Sequence, residues 1–283
     1  MEGAFEDKLG EKQFSVLARF IEEHCGIKMP PSKRLMLEAR LRKRLKTVGL
    51  HSFQDYIQFL FSAEGMGGEL VHMVDAVTTN KTDFFREPQH FDFLVKKALP
   101  DLMARRGSGT RRRLMGWSAG CSTGEEPYTL AIVLSEVAEK VANFDYMVLA
   151  TDISTKVLSK AAQAIYEEER IGPVPLDLRK KYMLRSKDHH RRLVRMAPDL
   201  RDHVKFRRLN FMDEDFGMRE PFDFIFCRNV FIYFDRPTQE RILNLFCKNL
   251  VPGGYVFLGH SESINGLDVP LVPLAPSVYQ FPK

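Results

Sequence analysis

RLMGWSAGCSTGEE, residues 113–126, is the stretch of this sequence that decides the fold. It starts as a short apolar strand over residues 114–117, passes through a turn of small residues and enters a helix predicted over residues 125–141. A tight small-residue turn lets the backbone approach a ligand closely, and the helix start offers free N–H groups. The pattern is typical of a site for a mononucleotide-like molecule.

Composition narrows the possible classes of protein. The chain has 283 residues, of which 44% are hydrophobic, so it can form one large or two smaller globular domains. A net charge of +5 predicts a local basic surface rather than general binding of polyanions. The four cysteines lack the spacing of a zinc site or a disulfide framework. The amino terminus is charged and no apolar run is as long as a membrane span. We expect a monomeric cytoplasmic protein that holds no metal and does not insert into a membrane.

Residues 1–77 are predicted to form a helical domain. Apolar residues at helical spacing predict helices near residues 14–24, 32–48, 52–61 and 70–77, with Ser32 capping the second. That second helix is amphipathic, and its polar side carries Lys33, Arg40, Lys43, Arg44 and Lys46. Such a face is either simply solvated or a docking surface for an acidic partner. No recognition-helix or RNA-binding signature accompanies it, so nucleic acid is not expected.

A linker follows at residues 78–90, within the stretch TTNKTDFFREPQHF. Its mixture of hydroxyl, amide, aromatic and basic side chains fits neither helix nor strand periodicity. One interpretation is a connector whose two phenylalanines fill a core. The other is a segment that crosses the mouth of a cleft and places Asn80, Thr82 and Arg86 on a ligand.

Residues 91–283 alternate between predicted helices and strands, which indicates an α/β domain with a parallel sheet covered on both faces. Polar residues follow successive strands, and the carboxyl ends of those strands meet in one crevice of an open sheet. They are Glu126, Asp152, Asn210, Arg228 and Asn229. Asp152 is placed either to bind both hydroxyls of a ribose or to cap the helix that follows it.

A small β insertion is predicted over about residues 179–206. KKYMLRS, RRLVRMA and HVKFRRL read as three short basic strands, the last of which also returns the chain to the main sheet at residues 204–209. Their charges either protect exposed strand edges or provide a second contact for an acidic partner.

The residues after the first strand distinguish between two nucleoside ligands. A dinucleotide site would show GxGxxG, whereas this chain has GCSTG followed by Glu125 and Glu126. Carboxylates at the position of a pyrophosphate are electrostatically unfavourable. S-adenosylmethionine has no phosphate and suits these residues better. Its ribose fits Asp152, its ammonium and sulfonium fit acidic or dipolar groups, and its carboxylate fits Arg86.

Five motifs in this order carry a resemblance to a known family. They are TTNKTDFFRE at 78–87, WSAGCSTGEEPY at 117–128, ATDI at 150–153, FDFIFCRNVFIYF at 222–234 and GHSE at 259–262. Together they resemble the chemotaxis receptor glutamate methyltransferases, the CheR family, over nearly the whole chain. The resemblance implies a Rossmann-like S-adenosylmethionine-dependent methyltransferase sheet with an antiparallel strand at one end. It also implies methylation of glutamate side chains on the cytoplasmic helices of methyl-accepting chemoreceptors.

The resemblance further implies a role for each matching residue. Asn80, Thr82 and Arg86 resemble linker contacts to the cofactor, and Glu126 resembles a contact to its amino acid end. Asp152 resembles the ribose ligand, and Asn210 and Phe211 resemble the adenine contacts. Arg228 and Asn229 resemble residues near the methionine portion, and Tyr233 resembles a neighbour of the transferred methyl group. We expect Arg86 and Tyr233 to orient the reacting groups.

The same resemblance implies a docking role for the basic helix, since receptor methylation helices are rich in glutamate. Arg40, Lys43, Arg44 and Lys46 are expected to steer and orient them. Two alternatives stay open on the sequence. One is a methyltransferase for another protein or for nucleic acid, and the other is an adaptor that binds S-adenosylmethionine without catalysis.

Overall fold

The computed structural model describes residues 7–188 and 190–282. Its amino-terminal part is all helical, with α1 (Glu11–Cys25), α2 (Arg34–Val48), α3 (Phe53–Leu60) and α4 (Leu70–Val77). These helices pack around a core of their own that includes Leu17, Leu41 and Tyr56. The prediction that Ser32 caps α2 is wrong, because Ser32 lies inside a 3₁₀ turn at Pro31–Lys33 that leads directly into the helix.

The rest of the chain alternates helices and strands. The helices are α5 (Pro88–Phe93), α6 (Leu99–Arg106), α7 (Glu125–Ala138), α8 (Thr155–Gln163), α9 (Leu176–Tyr182), α10 (Pro198–Asp202) and α11 (Arg236–Lys248). The strands are β1 (Leu114–Ala119), β2 (Tyr146–Asp152), β3 (Ile165–Glu167), β4 (Met183–Arg185), β5 (Leu193–Met196), β6 (Val204–Arg208), β7 (Phe222–Cys227), β8 (Leu250–Leu258), β9 (Val272–Ala275) and β10 (Val278–Gln280). None of the described helices has both the length and the apolar character needed to cross a bilayer.

The main sheet has seven strands in the order β6-β2-β1-β7-β8-β10-β9. The strands from β6 to β8 are parallel, whereas β10 runs antiparallel to both of its neighbours. The predicted parallel α/β sheet with an antiparallel strand at one end is therefore confirmed. From β1 the chain moves outward through β2 and β6, then crosses back to β7 on the other side of β1. This reversal opens a crevice at the carboxyl ends of β1 and β7, where ligands bind in open α/β sheets.

The small antiparallel sheet exists, but the prediction of its strands is wrong in part. Its order is β3-β5-β4, so its third strand is Ile165–Glu167 and not HVKFRRL. The insertion therefore begins before residue 179. β6 instead pairs in parallel with β2 at the edge of the main sheet. It buries Val204 and exposes Lys205 and Arg208, so its charges occupy the solvent side of an edge strand. Strand β3 was not predicted, because three residues are too few to show the alternation of buried and exposed side chains that indicates a strand.

Hydrogen bonds join the helical domain to the carboxyl ends of the sheet. The Asn210 side chain donates to the carbonyl of His24 at 2.7 Å, and the N–H of Lys28 donates to the carbonyl of Tyr233 at 3.0 Å. On the other side, the Thr155 hydroxyl donates to the Asp75 carboxylate at 3.0 Å. The helical domain therefore covers the crevice and makes it a cleft.

Candidate active site

A cleft of about 370 Å³ lies between the helical domain and the carboxyl ends of the sheet, within the range of about 300–1,000 Å³ that is usual for small-molecule sites. The structure brings together around it all of the residues predicted to bind the cofactor or to act in catalysis. They are Asn80, Thr82, Arg86, Glu126, Asp152, Asn210, Phe211, Arg228, Asn229 and Tyr233. The predicted docking residues of α2 do not line the cleft.

The helical domain also supplies part of the cleft wall, which the sequence reasoning missed. The loop after α1 and the start of α2 contribute Cys25, Ile27, Met29, Lys33 and Met36. The apolar side chains within the loop segment GIKMPP were the available signal. A loop that carries apolar residues needs a surface to cover them, and here that surface is the cleft.

A buried ion pair organises the centre of the cleft. The Glu126 carboxylate accepts hydrogen bonds from the Ser118 hydroxyl and from Nε of Arg228, both at 2.7 Å. Glu126 and Arg228 are each less than a tenth exposed, so each charge depends on the other for compensation. The pair joins the start of α7 to the end of β7.

Arg228 also holds the linker in place. Its guanidinium packs against the rings of Phe91 and Phe226, with Cζ 5.2 and 5.5 Å from the two ring centroids. From there, Nη1 donates to the backbone carbonyl of Arg86 at 2.5 Å. On either side of Arg86, Phe85 and Glu87 have φ values of 53° and 54°. Such left-handed backbone persists only where the surroundings impose it, and here Arg228 is one of the constraints.

The expectation that both glutamates face a cationic ligand is wrong for Glu125. This residue is 1% exposed and does not line the cleft. Its carboxylate pairs with Arg170 at 2.6 Å and accepts from the Thr123 hydroxyl, also at 2.6 Å. Successive residues of a helix point about 100° apart, so only one of the two adjacent carboxylates faces the cleft, and that one is Glu126.

Asp152 faces the cleft and does not cap α8. The cap is Ser154, whose hydroxyl accepts from the N–H of Val157 at 3.3 Å. The Asp152 carboxylate accepts from the N–H groups of Ser122 and Ser154, both at 2.9 Å. Burial raises the pKa of Asp152, and these N–H groups oppose that rise. A carboxylate has about four acceptor positions, so capacity for two ribose hydroxyls remains.

Backbone in the left-handed region recurs around the cleft. Ser122 and Asn229 have φ values of 50° and 60°, and Gly120 has φ of 84°. A Cβ atom at Gly120 would lie 2.6 Å from a methyl carbon of Val230. The turn after β1 therefore needs glycine at this position to let the loop after β7 approach it.

Glu87, His90 and His260 each bring a possible metal-ligand atom within 4.8 Å of the others. The guanidinium of Arg228 already lies 3.6 Å from Glu87 and 3.5 Å from Nδ1 of His90. Burial, together with the charge of Arg228, lowers the pKa of His90 to about 4. Arg228 thus supplies a positive charge next to the partly buried Glu87 carboxylate.

The predicted docking residues divide into two groups. Arg44 makes two hydrogen bonds to the buried carboxylate of Glu69, at 2.9 and 2.6 Å. Arg40 donates to the carbonyls of Val77 and Thr78 at the start of the linker. Lys43 and Lys46, in contrast, are exposed. The two arginines therefore have partners within the chain, and the two lysines present their charge to solvent.

The switch-point crevice of the parallel sheet, with Asp152 and the small-residue turn at its edge, is typical of a protein that binds a nucleoside-containing ligand. The family model described as CheR methyltransferase, SAM binding domain, matches residues 80–273, and the one described as CheR methyltransferase, all-alpha domain, matches residues 12–78. The chain therefore belongs to the CheR methyltransferase family, and it is an S-adenosylmethionine-dependent methyltransferase.

Relatives match nearly the full chain. The chemotaxis protein methyltransferase of Borreliella burgdorferi is 41% identical over 255 residues, which cover 90% of this chain and 89% of the relative. That of Escherichia coli is 38% identical over 275 residues, covering 97% and 92%. That of Salmonella typhimurium is 39% identical over 259 residues, covering 92% and 86%. Similarity at this level extends across both the helical and the sheet regions.

Replacing Asp152 with alanine should weaken the binding of S-adenosylhomocysteine about 10- to 100-fold at pH 7, since hydrogen bonds to a charged group contribute about 1.5–3 kcal/mol. Binding by the unaltered protein should decline as the pH falls, because protonation removes the acceptor. That decline should begin at a higher pH than for an ordinary aspartate of pKa about 3.9, since the Asp152 pKa is raised.

Calorimetric titration measures both effects. Asp145→Ala is the matched control, because Asp145 precedes the opposite end of the same strand and makes an exposed ion pair with Arg113. It should bind within about twofold of the original protein, as expected where only an exposed pair is lost. Equal affinities for the two variants would contradict the ribose assignment.

Proposed function

We propose that this chain acts in the cytoplasm and transfers a methyl group to glutamate side chains on the cytoplasmic helices of methyl-accepting chemoreceptors, forming methyl esters. The observation that carries the proposal is the charge around the cleft. Lys33, Lys81 and Arg86 line it, and among the described residues the two carboxylates that line it, those of Glu126 and Asp152, already accept hydrogen bonds. A cleft with this distribution favours an anionic acceptor over a cationic one.

The side chains at the cleft support the same acceptor, because the carboxylates of Glu126 and Asp152 are already engaged by hydrogen-bond donors. Within the described part of the chain, no histidine lines the cleft. An amine or alcohol acceptor must lose a proton and so needs a general base. A glutamate carboxylate, with an ordinary pKa of about 4.3, is already ionised at neutral pH. When bound, S-adenosylmethionine supplies the methyl group on a sulfonium, and a carboxylate accepts it without proton transfer.

The remaining task of the protein is to orient the acceptor and exclude water, which can lower the barrier by about 7 kcal/mol or more. We assign this task to Arg86 and Tyr233. Arg86 is half-buried and donates from Nη1 to the carbonyl of Lys81 at 3.3 Å, which holds it along the linker. Tyr233 lies beneath Lys33, whose Nζ is 5.8 Å from the ring centroid. Both residues line the cleft, one carrying a charge and the other a hydroxyl.

Docking of the receptor helix is assigned to α2. Lys43 and Lys46 are exposed on this helix, so they can attract glutamate-rich helices at a distance. Arg40 and Arg44 contribute in a different way, because their contacts to the linker and to Glu69 hold α2 in position.

Incubation of the full chain with methyl-labelled S-adenosylmethionine and a cytoplasmic chemoreceptor fragment tests the proposed reaction. We expect label in the receptor that is released as methanol by mild base, as an ester requires. Replacing the modified glutamates with alanine should abolish the labelling. Base-stable label in the receptor, label in nucleic acid alone, or binding of the cofactor without transfer would each contradict the proposal.

Arg86→Ala and Tyr233→Phe should both reduce the rate of receptor methylation, by about 10- to 100-fold for the lost charge and less for the lost hydroxyl. Steady-state rates at saturating cofactor measure the effect. Arg106→Ala is a control for Arg86, because this arginine ends α6 and does not line the cleft. Turnover near that of the unaltered protein in both cleft variants would remove them from the reaction.

The double variant Lys43→Ala/Lys46→Ala should raise the KM for the receptor several-fold at low salt, with the difference shrinking as salt is added. Its melting temperature should not change, since both side chains are exposed. Arg44→Ala should instead lower stability by about 3 kcal/mol, because it leaves the buried Glu69 carboxylate without its charged partner. Thermal unfolding and receptor kinetics separate the two roles, and a salt-independent KM in the lysine variant would contradict docking at this face.

A further inference from the structure

Glu262, the last residue of the GHSE motif, is an acid buried against the active-site loop. It is 7% exposed and follows the end of β8. Its Oε2 atom accepts from the N–H of Gly259 at 2.6 Å and from the N–H of Asn229 at 3.0 Å. Its own N–H donates to the carbonyl of Gly259 at 2.9 Å, which closes a tight turn. One carboxylate oxygen thus connects the end of β8 to the loop that follows β7.

That loop carries much of the cleft. Asn229, Val230, Ile232 and Tyr233 all line it. Asn229 has a φ of 60°, a conformation that a residue with a side chain adopts only where its surroundings impose it. The N–H of Asn229 donates a hydrogen bond to Glu262, so the carboxylate contacts the residue with the left-handed backbone directly.

Gly259 also lies close to both Asn229 and Glu262. A Cβ atom at Gly259 would lie 2.7 Å from Nδ2 and 2.9 Å from N of Asn229, and 2.9 Å from Oε2 of Glu262. Separations below 3.0 Å are not found for real Cβ atoms. Glycine at position 259 is therefore what allows the strand end, the loop and the carboxylate to meet.

The charge on Glu262 is part of the same arrangement. Burial raises the pKa of Glu262, while the N–H groups of Gly259, Asn229, Phe231 and Ile232 oppose that rise. Two of these N–H groups, those of Gly259 and Asn229, donate hydrogen bonds to the same oxygen, Oε2, and such bonds are stronger to an ionised acceptor. A neutral amide of the same size retains one acceptor oxygen and lacks the charge that strengthens the hydrogen bonds from these N–H groups.

We propose that Glu262 is a positioning residue, which fixes Asn229 and the loop through Tyr233 in the geometry that the cofactor and the acceptor require. The inference rests on the proposed placement of Asn229 and Tyr233 in the active site. Glu262 itself does not line the cleft, so it acts through the backbone of the loop and touches neither ligand.

Binding of S-adenosylhomocysteine to the full chain tests the inference without any acceptor. Glu262→Ala removes the carboxylate, and Gly259→Ala forces the same contact apart while leaving the carboxylate present. Both should weaken this binding about tenfold. In a separate assay with a chemoreceptor fragment as acceptor, both should lower kcat on the order of 100-fold, because small displacements at a reacting centre have effects of this size. Glu262→Gln retains one acceptor oxygen and should fall between Glu262→Ala and the unaltered protein.

Val194→Ala is the control for general destabilisation. Val194 is buried in the small antiparallel sheet, so its truncation should lower the melting temperature while S-adenosylhomocysteine affinity stays within about twofold. Circular dichroism establishes that each variant is folded. If Glu262→Ala does not fold, Gly259→Ala decides the outcome.

Asn229→Ala separates failure of this inference from failure of the site assignment. Weak binding by Asn229→Ala, together with unchanged affinity in folded Glu262→Ala and Gly259→Ala, would overturn the role of Glu262 and leave the site intact. Unchanged affinity in all three variants would remove Asn229 from the site, and the positioning role would fall with it. Weaker binding in all three is the result that we expect.

Discussion

The buried pair of Glu126 and Arg228 is the interaction on which the rest of the active site depends. It joins the first turn of α7 to the end of β7, and Arg228 extends the connection to the linker through the carbonyl of Arg86. Removing two charges from water is costly, and the attraction between them offsets that cost only with good geometry and additional hydrogen bonds. The Ser118 hydroxyl and the Arg86 carbonyl supply those hydrogen bonds, and the rings of Phe91 and Phe226 pack against the guanidinium. Three separate segments of the chain thereby share one fixed centre.

Around this centre the cleft combines rigid strands with strained loops. Ser122, Phe85, Glu87 and Asn229 all have left-handed backbone, and buried hydrogen bonds stabilise the segments that contain them. The Asp152 carboxylate accepts a hydrogen bond from the N–H of Ser122, just as the Glu262 carboxylate accepts one from the N–H of Asn229. Strain of this kind is found where a site must be organised before its ligand arrives. Contacts within the protein therefore hold the cleft in shape without a bound ligand.

The basic residues divide according to their surroundings. Arg44 and Arg228 pair with buried carboxylates, a role that suits a planar guanidinium with several fixed donors. Lys43 and Lys46 remain exposed, where a mobile ammonium acts at longer range. A basic helix face that looks uniform in the sequence thus contains both the supports of the helical domain and the charges available to a partner.

By itself, the sequence determined the alternating α/β order, the helical domain and the residue types at the strand ends, because hydrophobic periodicity and turn chemistry are local properties. It also led to the polar residues that line the cleft, since parallel strands must bring their carboxyl ends together. The residue pattern treated Glu125 and Glu126 alike, and the tertiary structure shows that only Glu126 faces the cleft, because Glu125 turns towards Arg170 while Glu126 turns towards Arg228. The tertiary structure likewise assigned Ile165–Glu167 to the small sheet and brought Glu262 to the loop of Asn229. These are contacts between distant segments, and no local pattern specifies the partner that a buried charge or a three-residue strand will find.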